Sequence, residues 1–268
     1  MDKKTNKTIL KAVYGIPQKR YPTWFLRQAG RYLPGYQKVR SQNSFLQVCE
    51  NSELAAQVTM EPLERFDLDG AIVFSDILVI AKSFGQTLSF DAGHGPVLNP
   101  PLRTAQDILN LEKQNDPLGL DYVGKTIALC KSRLAPEQTM IGFAGAPFTV
   151  ASYMIEGGSS RHFSHLKTLM FREPEAFQAL LNLLVDKTYD YLKLQIESGA
   201  DLLMLFDSWA GHLAPLDYKN SLVPSLKRLM EKLAVHRVPV LYYPGQGSQN
   251  LPLMEQIKPQ GVAIDWRT

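Results

Sequence analysis

Short apolar runs recur along this chain, each about the length of a strand and each closing on polar or glycine-rich residues. Six are counted: Thr23 to Leu26 before RQAGR, Ala71 to Phe74 before SD, Met140 to Ala144 before GAP, Leu202 to Phe206 before DS, Val238 to Tyr243 before PGQG, and Gly261 to Ile264 before DW. Most are followed by a longer segment of helical period, which is the pattern of repeated βα units. Glu173 to Ser198 carries Phe177, Leu180, Leu181, Leu184, Tyr191 and Leu194 at helical spacing, and Gly199 stands where such a helix ends. Asp217 to Val235 repeats the pattern. Ser52 to Phe66 is a third helix, with Ser52 as its cap, Glu53 as its first-turn acid and Pro62 as a kink. Between Thr87 and Asn99 the rhythm breaks, and LSFDAGHGPVL reads as a hairpin on a βα loop.

Strands alternating with helices predict a parallel sheet covered by helices, either doubly wound or closed into a barrel. Polar residues decide between the two. Arg, Ser-Asp and Asp-Ser follow their apolar runs directly, and a tyrosine stands a few residues past a fourth, as in a barrel whose site is built from strand ends. No G-x-G-x-x-G follows the first run and no G-x-x-x-x-G-K occurs, so nucleotide-binding open sheets lose their main support. The expected fold class is α/β, a TIM-like (β/α)8 barrel, with about six βα units in a single domain over residues 1–268. Six strands do not close such a barrel. Either two strands escape this count, or the barrel is built differently, or the chain is truncated or split with its last two βα units elsewhere, the case that leaves an open parallel edge; the expectation adopted is a C-terminally truncated barrel.

Composition removes several classes. No run of about 18 uncharged apolar residues exists to span a bilayer, and MDKKTNKTIL has no apolar segment of the kind that signals secretion. Cys49 and Cys130 lie far apart, which excludes a disulfide framework, a zinc ribbon and an iron–sulfur cluster, and a reducing cytoplasm is the expected compartment. The net charge of +3 is spread over scattered Lys and Arg, pointing weakly to a small anionic ligand and away from nucleic acid.

Four stretches carry chemistry. In PTWFLRQAGR, Arg27 and Arg31 flank Gln28, Ala29 and Gly30; two guanidinium forks suit carboxylates, and the alternative is pairing with surface acids. In FSDIL, Asp76 is placed low in a strand-end mouth, where a charged carboxylate needs a cation such as Arg27 or Arg31, or a ligand with N–H donors. A helix-capping role is the competing reading. In GAPFTVASYMIEGGSS, Tyr153 can hydrogen-bond a carboxylate or simply pack. In LFDSWAGHL, Asp207, Ser208, Trp209 and His212 follow a strand, but Ser208 lacks the G-x-S-x-G elbow of a serine hydrolase. His162 and His165, three apart, lack a third metal ligand; His94 and His236 read as solvated, and both cysteines as small buried hydrophobes.

Together, PTWFLRQAGRYLPGY, GAIVFSDIL, GAPFTVASYMIEGGSS and LFDSWAGHL, in this order and spacing, resemble the uroporphyrinogen decarboxylase family from about Lys11 onward. The resemblance implies a single barrel, a homodimer, no metal and no organic cofactor, with removal of four acetate carboxylates from uroporphyrinogen to give coproporphyrinogen. It places substrate carboxylates on Arg27 to Arg31, the pyrrole N–H groups over Asp76, and Tyr153 and Ser208 in the pocket wall, with Asp76, Arg27 and Tyr153 as the catalytic set. It also implies two further βα units and a late substrate-contacting histidine, which no residue here matches. Two other readings stay open: an inactive porphyrinogen-binding remnant, and a relative of the corrinoid-dependent methyltransferases, for which Cys49 and Cys130 offer no zinc set.

Overall fold

The computed structural model describes residues 6–91, 95–112 and 118–266. Its strands are β1 Gly70–Ile72, β2 Thr87–Asp91, β3 Gly95–Asn99, β4 Thr139–Gly145, β5 Leu202–Asp207, β6 Val240–Pro244 and β7 Gly261–Val262. β1, β4, β5, β6 and β7 form one parallel sheet in chain order. A doubly wound sheet reverses its order at a switch point, and this one does not. β2 and β3 form the expected antiparallel hairpin, which docks through Leu98 N–H on the Gly157 carbonyl at 2.9 Å. His94 lies outside the described residues.

Among the described residues the parallel strands number five, one fewer than the apolar runs suggest. Thr23 to Leu26 is not a strand. Asp69 carries the Arg20 fork at 2.7 and 2.8 Å and the Thr23 N–H at 2.6 Å, while Asp69 N–H donates to the Thr23 carbonyl at 2.9 Å. These bonds fix the segment beside the start of β1. Trp24 packs on the core, but Phe25 and Leu26 are left uncovered, 61% and 51% exposed, whereas a parallel strand is covered on both faces.

The helix at Ser52–Arg65 forms as expected, but Asn51 is its cap, accepting from Glu53 N–H and Leu54 N–H at 3.1 Å each. Ser52 instead donates its hydroxyl to the Tyr122 carbonyl. Pro174–Glu197 is one long helix of 24 residues. The segment from Asp217 onward is broken: a π-helical stretch, Tyr218–Leu222, precedes the helix Val223–Ala234.

β4 and β5 are buried at every residue, so each of their backbone groups needs a partner inside the protein. On its β1 side β4 faces a strand that ends after Ile72, and Val73 N–H makes the last ladder bond, to the Ile141 carbonyl at 3.0 Å. Two residues on, the Gln195 side chain takes over. Its Oε1 accepts from Phe143 N–H and its Nε2 donates to the Phe143 carbonyl, both at 2.8 Å. Gly142 permits this, since a Cβ there would stand 2.5 Å from Gln195 Oε1. The Phe74 N–H beyond β1 is likewise received by the Thr59 hydroxyl at 2.9 Å.

Replacing Gln195 by Leu strands both polar groups of the Phe143 peptide unit in the core. The expected loss is about 2–5 kcal/mol in urea unfolding; a Leu variant as stable as the parent would show that the side chain does not substitute for the ladder.

Candidate active site

Because β1 stops early, Phe74, Ser75 and Asp76 leave the sheet and turn over its C-terminal end. Asp76 Oδ1 accepts from Leu78 N–H at 2.8 Å, closing an Asx-type turn into the short helix Val79–Phe84. The capping reading of Asp76 thus holds, yet it uses one lone pair of one oxygen. Among the described residues no ion pair joins Asp76 to Arg27, Arg31 or any other cation. Loss of water around the partly buried carboxyl outweighs the single amide bond and moves its pKa from 3.8 to about 6. The turn lies on the end of β4, where a Cβ on Gly145 would stand 2.9 Å from the Ile77 carbonyl oxygen.

Tyr153 comes from the helix Pro147–Glu156, which starts directly after β4 with Pro147 in its first turn and ends on Gly157 at φ +79°. The tyrosine is 9% exposed. Burial is the main cause that lifts its hydroxyl pKa; side-chain hydrogen bonds with Trp209 and Ser159 pull against it, and the Asp76 charge adds a smaller lift. The Tyr153 ring lies 5.9 Å from the Trp209 ring at 53°. Ser208 follows β5 half-buried, its backbone pressed by β6: a Cβ on Gly245 would lie 2.6 Å from the Ser208 carbonyl oxygen.

The arginine segment rises beside β1. Gln28 is buried, with Nε2 on the Gly70 carbonyl at 3.0 Å and Oε1 on Phe25 N–H at 3.1 Å. Its side chain is therefore a brace for the free edge of β1. Ala29 packs with Phe74 on a small cluster of Leu33, Tyr36, Val39, Val48 and Val58. Gly30 makes a tight turn, donating to the Gln28 carbonyl at 2.8 Å. Arg27 and Arg31 are exposed, and neither guanidinium has a hydrogen-bond or ion-pair partner among the described residues. The surface-acid alternative for this pair is not what the fold contains.

Asp207, noticed in sequence only as a neighbour of Ser208, is fully buried between Thr149 and Tyr242, with Tyr218 behind. Burial raises its pKa from 3.8 to about 6 against the two hydroxyl donors. The signal for Tyr242 was a tyrosine inside an otherwise apolar strand; Thr149 and Tyr218 carried none. His162 and His165 are exposed, but His162 precedes the helix Ser164–Arg172, so they share no helix face. His236 is half-buried against the Tyr189 hydroxyl at 3.2 Å rather than free in solvent. Cys49 and Cys130 are buried free thiols; burial pushes Cys49 strongly up and Cys130 to about 11, so neither is a nucleophile. Among the described residues no three His, Cys, Asp or Glu side chains gather as a metal site, and no helix is long and apolar enough to cross a membrane.

The uroporphyrinogen decarboxylase family model matches residues 4–268. The chain belongs to the uroporphyrinogen decarboxylase family. Uroporphyrinogen decarboxylases of Acinetobacter baumannii (strain SDF) and Idiomarina loihiensis are 41% and 42% identical to it, over 98% of this chain and 75% of each relative. The enzyme of Syntrophotalea carbinolica is 41% identical over 97% of this chain and 75% of its own length. A methyltransferase from Methanosarcina mazei shares the fold, with a TM-score of 0.75 at 15% identity over 97% of this chain and 75% of that one. The decarboxylase family is built on the TIM barrel, which agrees with the chain-order parallel sheet.

Asp76 gives this member of the decarboxylase family a pH signature. Between about pH 4 and 6 the folded chain keeps a proton on Asp76 that the unfolded chain has lost, so stability falls as pH rises through that interval. Asp207, raised to the same range, adds a fall of its own, so Asp76→Asn makes the fall shallower rather than flat, and makes the protein more stable at pH 7 by about 1–2 kcal/mol after solvent screening. Melting temperatures from pH 4 to pH 7 read this directly; a variant less stable than the parent at pH 7 contradicts it.

Proposed function

We propose that this chain removes the four acetate carboxyl groups of uroporphyrinogen III to give coproporphyrinogen III in porphyrin biosynthesis, with Asp76 at the centre of the chemistry. The observation that carries this reading is a desolvated carboxylate at the strand-end mouth with one amide donor and no cation. It stands in a chain 41% identical to uroporphyrinogen decarboxylases.

Loss of CO2 from an acetate on a pyrrole leaves an electron pair with no adjacent carbonyl to receive it. Protonation of the ring first turns the ring into the acceptor, and the intermediate is cationic. An ionised Asp76 stabilises that charge through the pyrrole N–H groups, an electrostatic role fixed before reaction. Arg27 and Arg31, with their forks free, hold the acidic rim of the substrate. Gln28 has its side chain committed, so Gln28, Ala29 and Gly30 contribute backbone to the same wall. Tyr153 and Ser208 complete the pocket, Tyr153 donating to a substrate carboxylate. The ring proton comes from Arg27 or from a bound water. Neither metal nor organic cofactor enters this scheme, and the enzyme is read as a cytoplasmic homodimer; two buried free thiols fit that compartment, and the dimer rests on family likeness.

Anaerobic incubation with uroporphyrinogen III, then oxidation and chromatography, counts porphyrins carrying eight to four carboxylates. Stepwise loss is expected, with kcat/KM falling as pH drops below about 6, where Asp76 takes up its proton. Asp76→Asn lowers kcat by about 10²–10³-fold, and Arg31→Ala raises KM at least as much as it lowers kcat. Near-parental turnover in Asp76→Asn would remove Asp76 from its role.

A further inference from the structure

Behind the pocket wall stands a carboxylate that the scheme above leaves unused. Asp207 closes β5 with no exposed surface. Thr149 donates its hydroxyl to Oδ1 and Tyr242 donates to Oδ2, each at 2.7 Å. A hydroxyl has a single proton, so with both committed to Asp207 the two oxygens can only accept from elsewhere. The Tyr242 oxygen therefore receives the Tyr218 proton at 2.9 Å, and the Thr149 oxygen receives Trp209 N–H at 3.2 Å. Every proton in the network points toward Asp207. Tyr218 reaches its place from the π-helical stretch Tyr218–Leu222, a geometry that a regular helix does not give.

Trp209 is the outlet of this network toward the pocket. Its ring is in contact with Tyr153 and Phe163, at centroid distances of 5.9 and 5.2 Å and tilted by 53° and 55°, with His212 at 5.6 Å. Phe163 is held at φ +53° while 1% exposed, a conformation that a bulky side chain adopts only where its surroundings impose it. Trp209 is thus held by contact with a strained aromatic through its ring and by Thr149 through its backbone N–H.

We propose that Asp207 is a positioning residue for the decarboxylation: through Thr149 it fixes Trp209, and through Trp209 it fixes the Tyr153 ring. The inference rests on Tyr153 lining the substrate pocket. Asp207 itself touches no substrate in this scheme.

The test uses Thr149, because removing a buried carboxylate can cost the fold. In a chain carrying Trp24→Phe and Trp266→Phe, Trp209 is the sole remaining tryptophan of three. Thr149→Val removes the hydroxyl while keeping its shape, and Thr149→Ser keeps the hydroxyl. The valine variant is expected to lose about tenfold to a hundredfold in kcat, with KM within about twofold, and its Trp209 emission becomes more open to acrylamide quenching. The serine variant restores both. If valine and serine variants, each folded by circular dichroism, match in kcat and in Trp209 quenching, the proposal is overturned; it is equally overturned if quenching differs while kcat does not. A parent chain without turnover removes the decarboxylase reading instead, and the quenching contrast alone then decides the link from Thr149 to Trp209.

Discussion

The constraint on which this structure turns is that a parallel strand has water on neither face, so every backbone group beyond the ladder needs a built partner. β4 and β5 run buried from end to end, but β1 gives β4 a neighbour for three residues only. Where β1 stops, Gln195 reaches in from the long helix and supplies both bonds of the missing ladder position, and Thr59 receives the departing chain at Phe74. These two substitutions for strand pairing let residues 74–76 peel away without stranding a polar group. Asp76 arrives over the sheet end for that reason.

Among the carboxylates at the sheet, Asp69, Asp207 and Asp76 differ in how completely the protein satisfies them. Asp69, at the start of β1, loses water, but the Arg20 fork and Thr23 N–H outweigh that loss and hold its pKa below the ordinary range. Asp207, at the end of β5, has two hydroxyl donors whose own oxygens are occupied in turn. Asp76 has one amide. A group held in poor solvation with most of its acceptor capacity unused marks the place where a ligand supplies the rest. The ranking separates two carboxylates that brace the sheet from one that waits for donors.

Much of the fold was legible because strand and helix periods are local. The runs at Ala71, Met140, Leu202, Val238 and Gly261 each coincide with a parallel strand, and the Gly-rich hairpin and the long helix after Glu173 lie where their residues put them. Thr23 to Leu26 misled because an apolar run reports only a wish for burial; whether it joins a sheet depends on Asp69, far along the chain, which tethers it as coil. Asn51 displaced Ser52 as cap because the serine hydroxyl found a carbonyl in another helix. Of the site, the arginines and Asp76 could be read from their position after apolar runs. Tyr242 showed only as a tyrosine inside an apolar strand, and Thr149 and Tyr218 not at all, since their value lies in converging from separate elements on one buried network around Asp207.

In the proposed reading the free guanidiniums and the sparsely bonded, partly buried Asp76 carboxylate work together. A protein that neutralised Arg27 and Arg31 with its own acids, or gave Asp76 a lysine, would gain stability and lose the asymmetry that a ligand can read. Asp69 is engaged by Arg20, Glu61 by the backbone of Gly35 and Tyr36 and by Arg65, and Asp201 by Lys7 and Lys131, so none of these acids is paired with Arg27 or Arg31. In the proposed reading the substrate matches that pattern in reverse, carrying its carboxylates on the outside and its N–H donors within. Such a ligand meets cations with its rim and Asp76 with its centre. In that reading a smaller acid could satisfy the arginines but would leave Asp76 without substrate donors, so the partly buried carboxylate would select on shape as well as stabilise charge.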